Sequence, residues 1–225
     1  TALTTAARPC KRRILHVSCS ALSPPALAPS IRHFPMLDLR VPTPDAWLAV
    51  VFADFDAFLV DHALCERKAS AMGMSLVAKY PDRTAIIDPL IAFAREELEH
   101  FHVMYLILEK RGLRLGGDEK DIYVNALRRL SRSGAEDLFL DRLLVPGVVE
   151  ARGCERLQLV AGAIQDPELG QVYRDLARAE SRHHGLFFRL ARQYFPEDVV
   201  RARADELLVA EAEIVRALPL RAAVH

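Results

Sequence analysis

From Pro44 onward, apolar residues recur at intervals of three and four, which is the spacing of one face of an α-helix. The stretch DAWLAVVFADFDAFLVDHALCERKASAMGMSLVAKY reads as one long helix capped by Thr43 or Asp45. It ends at the turn signal Tyr80-Pro81-Asp82. A second helix is predicted over roughly residues 84–111, where Asp88-Pro89 can reset its start and Gly112 ends it. Residues 118–132 suggest a short helix with a basic side. A third long helix covers about 135–164, with an irregularity at Pro146-Gly147. A fourth covers about 168–194 and stops at Pro196, and a last one covers about 197–217. No segment has the alternation of a strand. Long amphipathic helices joined by short turns imply an all-α, antiparallel four-helix bundle with accessory helices. The two halves echo each other: Cys65-Glu66-Arg67 in the first long helix recurs as Cys154-Glu155-Arg156 in the third, each followed by a turn and another helix. That pattern suggests a duplicated helical hairpin.

Residues 1–35 depart from this pattern. They carry Pro, Ser and basic residues without sustained periodicity, and the apolar run from Ile14 to Leu22 is a poor secretory core. They are expected to form a disordered or non-native extension, with Met36 a candidate start and 36–225 the folded domain. A chain of 225 residues, 51% of them hydrophobic, suffices for one ordinary core. The formal net charge is zero, so the chain lacks the global basic signature of many nucleic-acid binders. Its cations are 25 Arg against 5 Lys, a bias for which genome composition is the simpler explanation. None of the four cysteines forms a Cys-x-x-Cys pair, which removes zinc-ribbon and thioredoxin-type chemistry. Cys65 and Cys154 fall in apolar helical patterns and read as buried free thiols, which suits a reducing, cytoplasmic setting. No apolar run reaches the length of a membrane span, about 18 residues.

The chemistry lies in Glu-x-x-His. Residues three apart on a helix project from nearly the same side, so such a pair can reach one metal ion. With 15 Glu and 8 His in the chain, chance alone supplies about half an occurrence, and there are three. The helix faces separate them. The neighbours of Glu97 and His100 one and two turns away are Leu90, Phe93, Ala94, Phe101, Met104 and Leu108, an inward face. Glu99 and His102 share a mixed face with Arg95, Glu96 and Lys110. Glu180 and His183 sit among Tyr173, Leu176, Ala177, His184 and Phe187. A carboxylate on an apolar face is costly unless it is paired or bound to metal. Glu66 lies 31 residues before Glu97, a separation that brings two antiparallel helices to one level. In the third long helix Glu150 precedes Glu180 by 30 residues and is preferred; Glu155, which matches Glu66 by local sequence, stays open. Two Glu-x-x-His helices plus one Glu from each of two others is the pattern of a dinuclear carboxylate site, whose donors suit iron or manganese. The competing structural reading pairs these carboxylates with Arg67, Arg152 or Arg182. His62 and His184 are candidates for supporting or core positions.

The segments DHALCERKAS, AREELEHFHVMYLILEKRG, VVEARGCERLQL and LARAESRHHGLFFRLA resemble the tRNA-(2-methylthio-N6-isopentenyladenosine-37) hydroxylases, the MiaE family, over roughly residues 41–217. The resemblance implies a ferritin-like fold with a non-haem di-iron centre on Glu66, Glu97, His100, Glu150, Glu180 and His183. It also implies O₂-dependent hydroxylation of the isopentenyl group beside the tRNA anticodon, with electrons from an external donor. Arg111, Arg114, Arg128, Arg129 and Arg132 are candidate contacts to an anticodon loop, weighed against an ordinary solvated face. The other readings are a different ferritin-like activity (ferroxidase, peroxidase or small-molecule oxygenase) and a metal-free helical protein binding RNA or a partner.

Overall fold

The computed structural model describes residues 39–117 and 120–225, so the expected extension over 1–35 lies outside the described residues. The helices among the described residues are α1 (Ala46–Ala53), α2 (Phe55–Lys79), α3 (Thr84–Lys110), α4 (Ile122–Arg128), α5 (Ala135–Ala163), α6 (Pro167–Ala191) and α7 (Glu197–Ala217), with no strand. α2 packs chiefly on α3 and α5 on α6, and α3 also meets α6. Each hairpin is closed by a short turn, which makes its helices antiparallel, and the whole is a ferritin-like four-helix bundle with α1, α4 and α7 as accessories.

The expected single helix over 45–80 is two. At Asp54 the backbone leaves helical geometry (φ −140°, ψ 64°), and its carboxylate accepts a hydrogen bond from the Ala57 amide at 3.2 Å, starting α2 afresh. Neither Thr43 nor Asp45 caps α1 through its side chain; the Thr43 hydroxyl instead donates to Glu155 at 2.7 Å. Asp88-Pro89 does not reset α3, because the helix is already running from Thr84 and Pro89 falls inside it. Pro146 likewise lies within an uninterrupted α5. The short fourth helix occupies only Ile122–Arg128 of the expected 118–132.

Each hairpin closes on a glycine. A Cβ on Gly73 of α2 would stand 2.9 Å from the Phe93 ring of α3, and one on Gly147 of α5 would stand 2.8 Å from the Phe188 ring of α6. Only the missing side chain permits that approach.

Among the described residues the apolar core has two main parts. One joins the end of α2 to the start of α3, the first half of α5 and the end of α6, through Leu76, Leu90, Phe93, Leu144, Val148 and Phe187. The other joins α1 and the start of α2 to the end of α3, the end of α5 and the start of α6, through Phe58, Ala63, Met104, Leu157, Tyr173 and Ala177. Between them lies a layer of buried polar groups.

Candidate metal centre

That layer is built from the same level of all four bundle helices. Glu66 comes from α2, Glu97 from α3, Glu150 from α5 and Glu180 from α6. All four glutamates are buried, as is His183, while His100 is nearly so. Glu97 is 1% exposed. Such a site for an ionised carboxylate is tolerable only with a compensating positive charge or a proton.

The donor atoms converge as two groups of four. Glu66, Glu97, His100 and Glu180 form one, and Glu97, Glu150, Glu180 and His183 form the other. Glu97 and Glu180 belong to both, and each offers a different oxygen to each side. Glu97 Oε2 lies 3.5 Å from His100 Nδ1, and its Oε1 lies 2.6 Å from His183 Nδ1. Glu180 Oε1 lies 3.7 Å from His100 Nδ1, and its Oε2 lies 3.5 Å from His183 Nδ1. Glu66 adds an oxygen 3.6 Å from His100 Nδ1. These approaches do not have hydrogen-bond geometry: both Glu97 oxygens, Glu180 Oε1, His100 Nδ1 and His183 Nδ1 are buried with no hydrogen-bond partner. Orphaned buried polar atoms are rare, because each costs about 1–3 kcal/mol. Four of these five separations, 3.5–3.7 Å, are close to those of donors sharing an ion at bond lengths of about 2.0–2.2 Å, while Glu97 Oε1 and His183 Nδ1, at 2.6 Å, stand closer than two ligands of one ion.

The charge states follow from this crowding. Burial, and then the neighbouring Glu180 and Glu66, push the Glu97 carboxyl up to about 8. Burial pushes Glu150 well above the usual range, with Glu180 adding to it. Burial opposes charge on the imidazoles, but contact with Glu66 and Glu97 outweighs it and raises His100 to about 10; contact with Glu180 and Glu97 raises His183 to about 11. Burial also works against the ionised Glu66, yet His100 and His62 hold it well below its ordinary value. Metal-free, the layer therefore retains protons that a cation would displace.

A supporting layer surrounds the donors. His62 Nε2 lies 2.6 Å from Glu66 Oε1, and its Nδ1 meets the Tyr173 hydroxyl at 3.1 Å. His184 donates from Nδ1 to the Gly147 carbonyl at 2.8 Å, so it braces α6 against α5. The sequence reading placed Glu96 on the mixed outer face. It sits at the edge of that face and reaches inward: its carboxylate lies 3.1 Å from His183 Nε2 and also pairs with Arg182. A carboxylate on the far nitrogen of a donor histidine fixes the ring and its tautomer. The doublet Glu96-Glu97 beside the motif was the available signal.

Glu155 is turned away from the layer. Its carboxylate accepts from the Thr43 amide at 2.9 Å and from Arg152. Arg152 is fully buried and is further held by Glu211 at 2.8 Å. The buried-salt-bridge reading thus describes Glu155 and Arg152, not the convergent glutamates. Arg182 pairs with Glu96 rather than with the layer itself. Glu99 and His102 are exposed. Cys154 is buried and Cys65 half-buried, both free thiols, while Cys10 and Cys19 lie outside the described residues. Of the arginines singled out for an RNA contact, Arg111 is engaged by Asp56 at 2.6 Å and Arg132 by Asp141 at 3.0 Å. Arg114, Arg128 and Arg129 are exposed. No helix among the described residues is long and apolar enough to cross a membrane.

Comparison with known proteins bears on this arrangement. The family model for "tRNA-(MS[2]IO[6]A)-hydroxylase (MiaE)" matches residues 30–225. A tRNA 2-(methylsulfanyl)-N(6)-isopentenyladenosine(37) hydroxylase from Pseudomonas putida is 35% identical over 85% of this chain and 91% of its own. One of the same name from Salmonella typhimurium is 25% identical over 79% of this chain and 83% of its own. Among solved structures, a Synechococcus protein described as having aldehyde deformylating oxygenase activity is 34% identical. It covers 82% of this chain and 92% of its own, with a TM-score of 0.78.

Proposed function

Since the chain belongs to the MiaE tRNA-hydroxylase family, we propose that it is an O₂-dependent, non-haem di-iron monooxygenase. Its substrate is the isopentenyl group of 2-methylthio-N6-isopentenyladenosine at position 37 of tRNA. The observation that carries the di-iron reading is the pair of four-donor groups sharing Glu97 and Glu180. Their donor set, carboxylate oxygens with one imidazole per group, suits iron.

In this reading Glu66 and His100 would hold one iron and Glu150 and His183 the other, with Glu97 and Glu180 belonging to both donor groups. Iron bound there would supply the O₂ chemistry that an unactivated C–H bond requires. The protein does the rest. Glu96 on His183 Nε2 and His62 on Glu66 fix donor orientation. The two apolar core halves exclude water from the layer between them, surroundings that suit an apolar prenyl chain. Exposed Arg114, Arg128 and Arg129 are available to the phosphates of an anticodon loop. Electrons come from an external donor, and the setting is cytoplasmic.

The test is nucleoside mass spectrometry of tRNA from a host that makes the unhydroxylated base, with and without this protein. A gain of one oxygen on that nucleoside is expected. Its absence with iron-loaded protein and a working reductant would sink the proposal.

The Synechococcus structure favours a second reading, in which the same centre acts on a small aliphatic aldehyde. Incubation of the iron-loaded protein with such an aldehyde separates the two: deformylation without any tRNA product would select the second.

A further inference from the structure

Away from the carboxylate layer, three donor side chains from three parts of the chain meet. Cys65 comes from α2, Asp121 from the N-cap of α4, and His225 from the segment that follows α7; one donor atom of each lies within 4.8 Å of the others. We propose that these three residues form a second metal site, for one borderline divalent cation of the zinc class, which ties the segment after α7 to α2.

Two of the three donor separations are close to those of a tetrahedral site. Cys65 Sγ lies 3.8 Å from His225 Nδ1, and His225 Nδ1 lies 3.5 Å from Asp121 Oδ2. Donors bound to zinc at about 2.3 Å (sulfur) and 2.0–2.2 Å (nitrogen, oxygen) in a tetrahedron stand roughly 3.3–3.6 Å apart. The third separation, Cys65 to Asp121, lies within 4.8 Å. Asp121 and His225 are already aimed, while the Cys65 thiol also donates to Asp61 Oδ2 at 3.7 Å. Asp121 uses Oδ1 to accept from the Val124 amide at 2.8 Å, which leaves Oδ2 facing His225. The His225 ring is stacked on Tyr123, with centroids 5.5 Å apart and planes 7° from parallel. Tyr123 is itself fixed by its hydrogen bond to Glu211 at 3.0 Å. Asp61, one turn before Cys65, accepts from the Val224 amide at 2.7 Å and so holds the neighbour of His225 in place.

The His225 side chain is 10% exposed, and its Nε2, the ring nitrogen that does not face the cluster, is buried with no hydrogen-bond partner. All of the ring's polar interactions are concentrated on Nδ1, the atom facing the sulfur and the carboxylate. Thiolate, imidazole and carboxylate together are a zinc-type set, and three protein donors leave a fourth position for water.

Cobalt(II) distinguishes this site from the carboxylate layer, which contains no sulfur. The metal-free full-length protein, titrated with Co²⁺ alone, is expected to show a thiolate-to-cobalt charge-transfer band whose limiting intensity corresponds to one thiolate-bound cobalt per chain, whatever further cobalt the carboxylate layer takes up, with visible bands of tetrahedral strength. Zn²⁺ should bleach both. Cys65→Ser should abolish the charge-transfer band, and His225→Ala should weaken Co²⁺ binding there at least tenfold while circular dichroism shows the fold intact. No charge-transfer band in the wild type, or one that survives Cys65→Ser, would overturn the proposal and leave the cluster a set of hydrogen bonds. The outcome does not depend on tRNA hydroxylation, so it stands or falls separately from that function.

Discussion

Glu150 and Glu155 are five residues apart on one helix, about 140° around its axis, so they cannot both face the bundle interior. Local sequence favours Glu155 through its Cys-Glu-Arg context, whereas helix phase favours Glu150; the structure brings Glu150 to the layer and gives Glu155 to Thr43 and Arg152. Their alanine variants should therefore fail in different ways. Glu150→Ala should lose bound iron while the fold persists, as read by metal analysis. Glu155→Ala should retain iron but lose about 1–3 kcal/mol of stability, because a buried hydrogen-bonding partner of Arg152 is removed; loss of iron from Glu155→Ala alone would reverse the assignment. Glu96 acts through His183. Glu96→Gln keeps its shape and removes the charge, and iron affinity should fall roughly 10–100-fold with the donors untouched. An unchanged affinity in a chelator competition would show that the contact to His183 Nε2 is incidental.

At the scale of the helices, the short hairpins were readable from Tyr80-Pro81-Asp82 and Asp166-Pro167, because turn chemistry is local. The Asp166 carboxylate caps α6 by accepting from the Glu168 and Leu169 amides at 2.9 and 3.0 Å. The break at Asp54 was not readable, since VVFADFDAF continues the apolar pattern on both sides. The difference lies in a single backbone conformation that Asp54 stabilises with its own side chain. Pro89 and Pro146 misled in the opposite direction, because packing against neighbouring helices outweighs one lost backbone hydrogen bond. Close approach within each hairpin is likewise invisible without the partner. Gly73→Val would drive a branched side chain into the Phe93 ring, which packs edge-on to His183 at 4.8 Å. The expected loss is about 1–3 kcal/mol in chemical denaturation, with weaker iron binding because His183 is displaced. A variant as stable as the parent would mean that Phe93 can yield freely.

The whole molecule carries the cost of the polar layer, and pH exposes it. Glu97, His100 and His183 have folded-state values raised to about 8, 10 and 11. A group raised on folding stabilises the fold below its unfolded value and loses that contribution as pH climbs through the folded one. Both histidine contributions are fully present below about 6.5, the usual value for histidine, and fade toward 10–11. The Glu97 contribution is already fading between 4.5 and about 8. Metal-free protein should therefore melt at progressively lower temperature from pH 7 to 9. Iron loading should raise the melting temperature and flatten that slope. Because the cation displaces the same protons, Fe²⁺ binding should release protons at pH 7 and tighten with rising pH. Anaerobic titration in two buffers of different ionisation enthalpy reads that release directly; binding with no proton release would contradict the charge states assigned here.

Helical class, bundle topology and the inward faces bearing Glu97, His100, Glu180 and His183 were determined by the sequence alone. Each follows from the 3.6-residue period and from turn residues that act within a few positions. The tertiary structure alone decided which oxygen of Glu97 and Glu180 faces which histidine, that Glu96 backs His183, and that Glu155 belongs to Arg152. It also decided that Cys65 and His225, 160 residues apart, face one another. These are contacts between helices, set by axial level and rotation to within an ångström or two. Periodicity fixes a face but not the depth or the angle at which two faces meet.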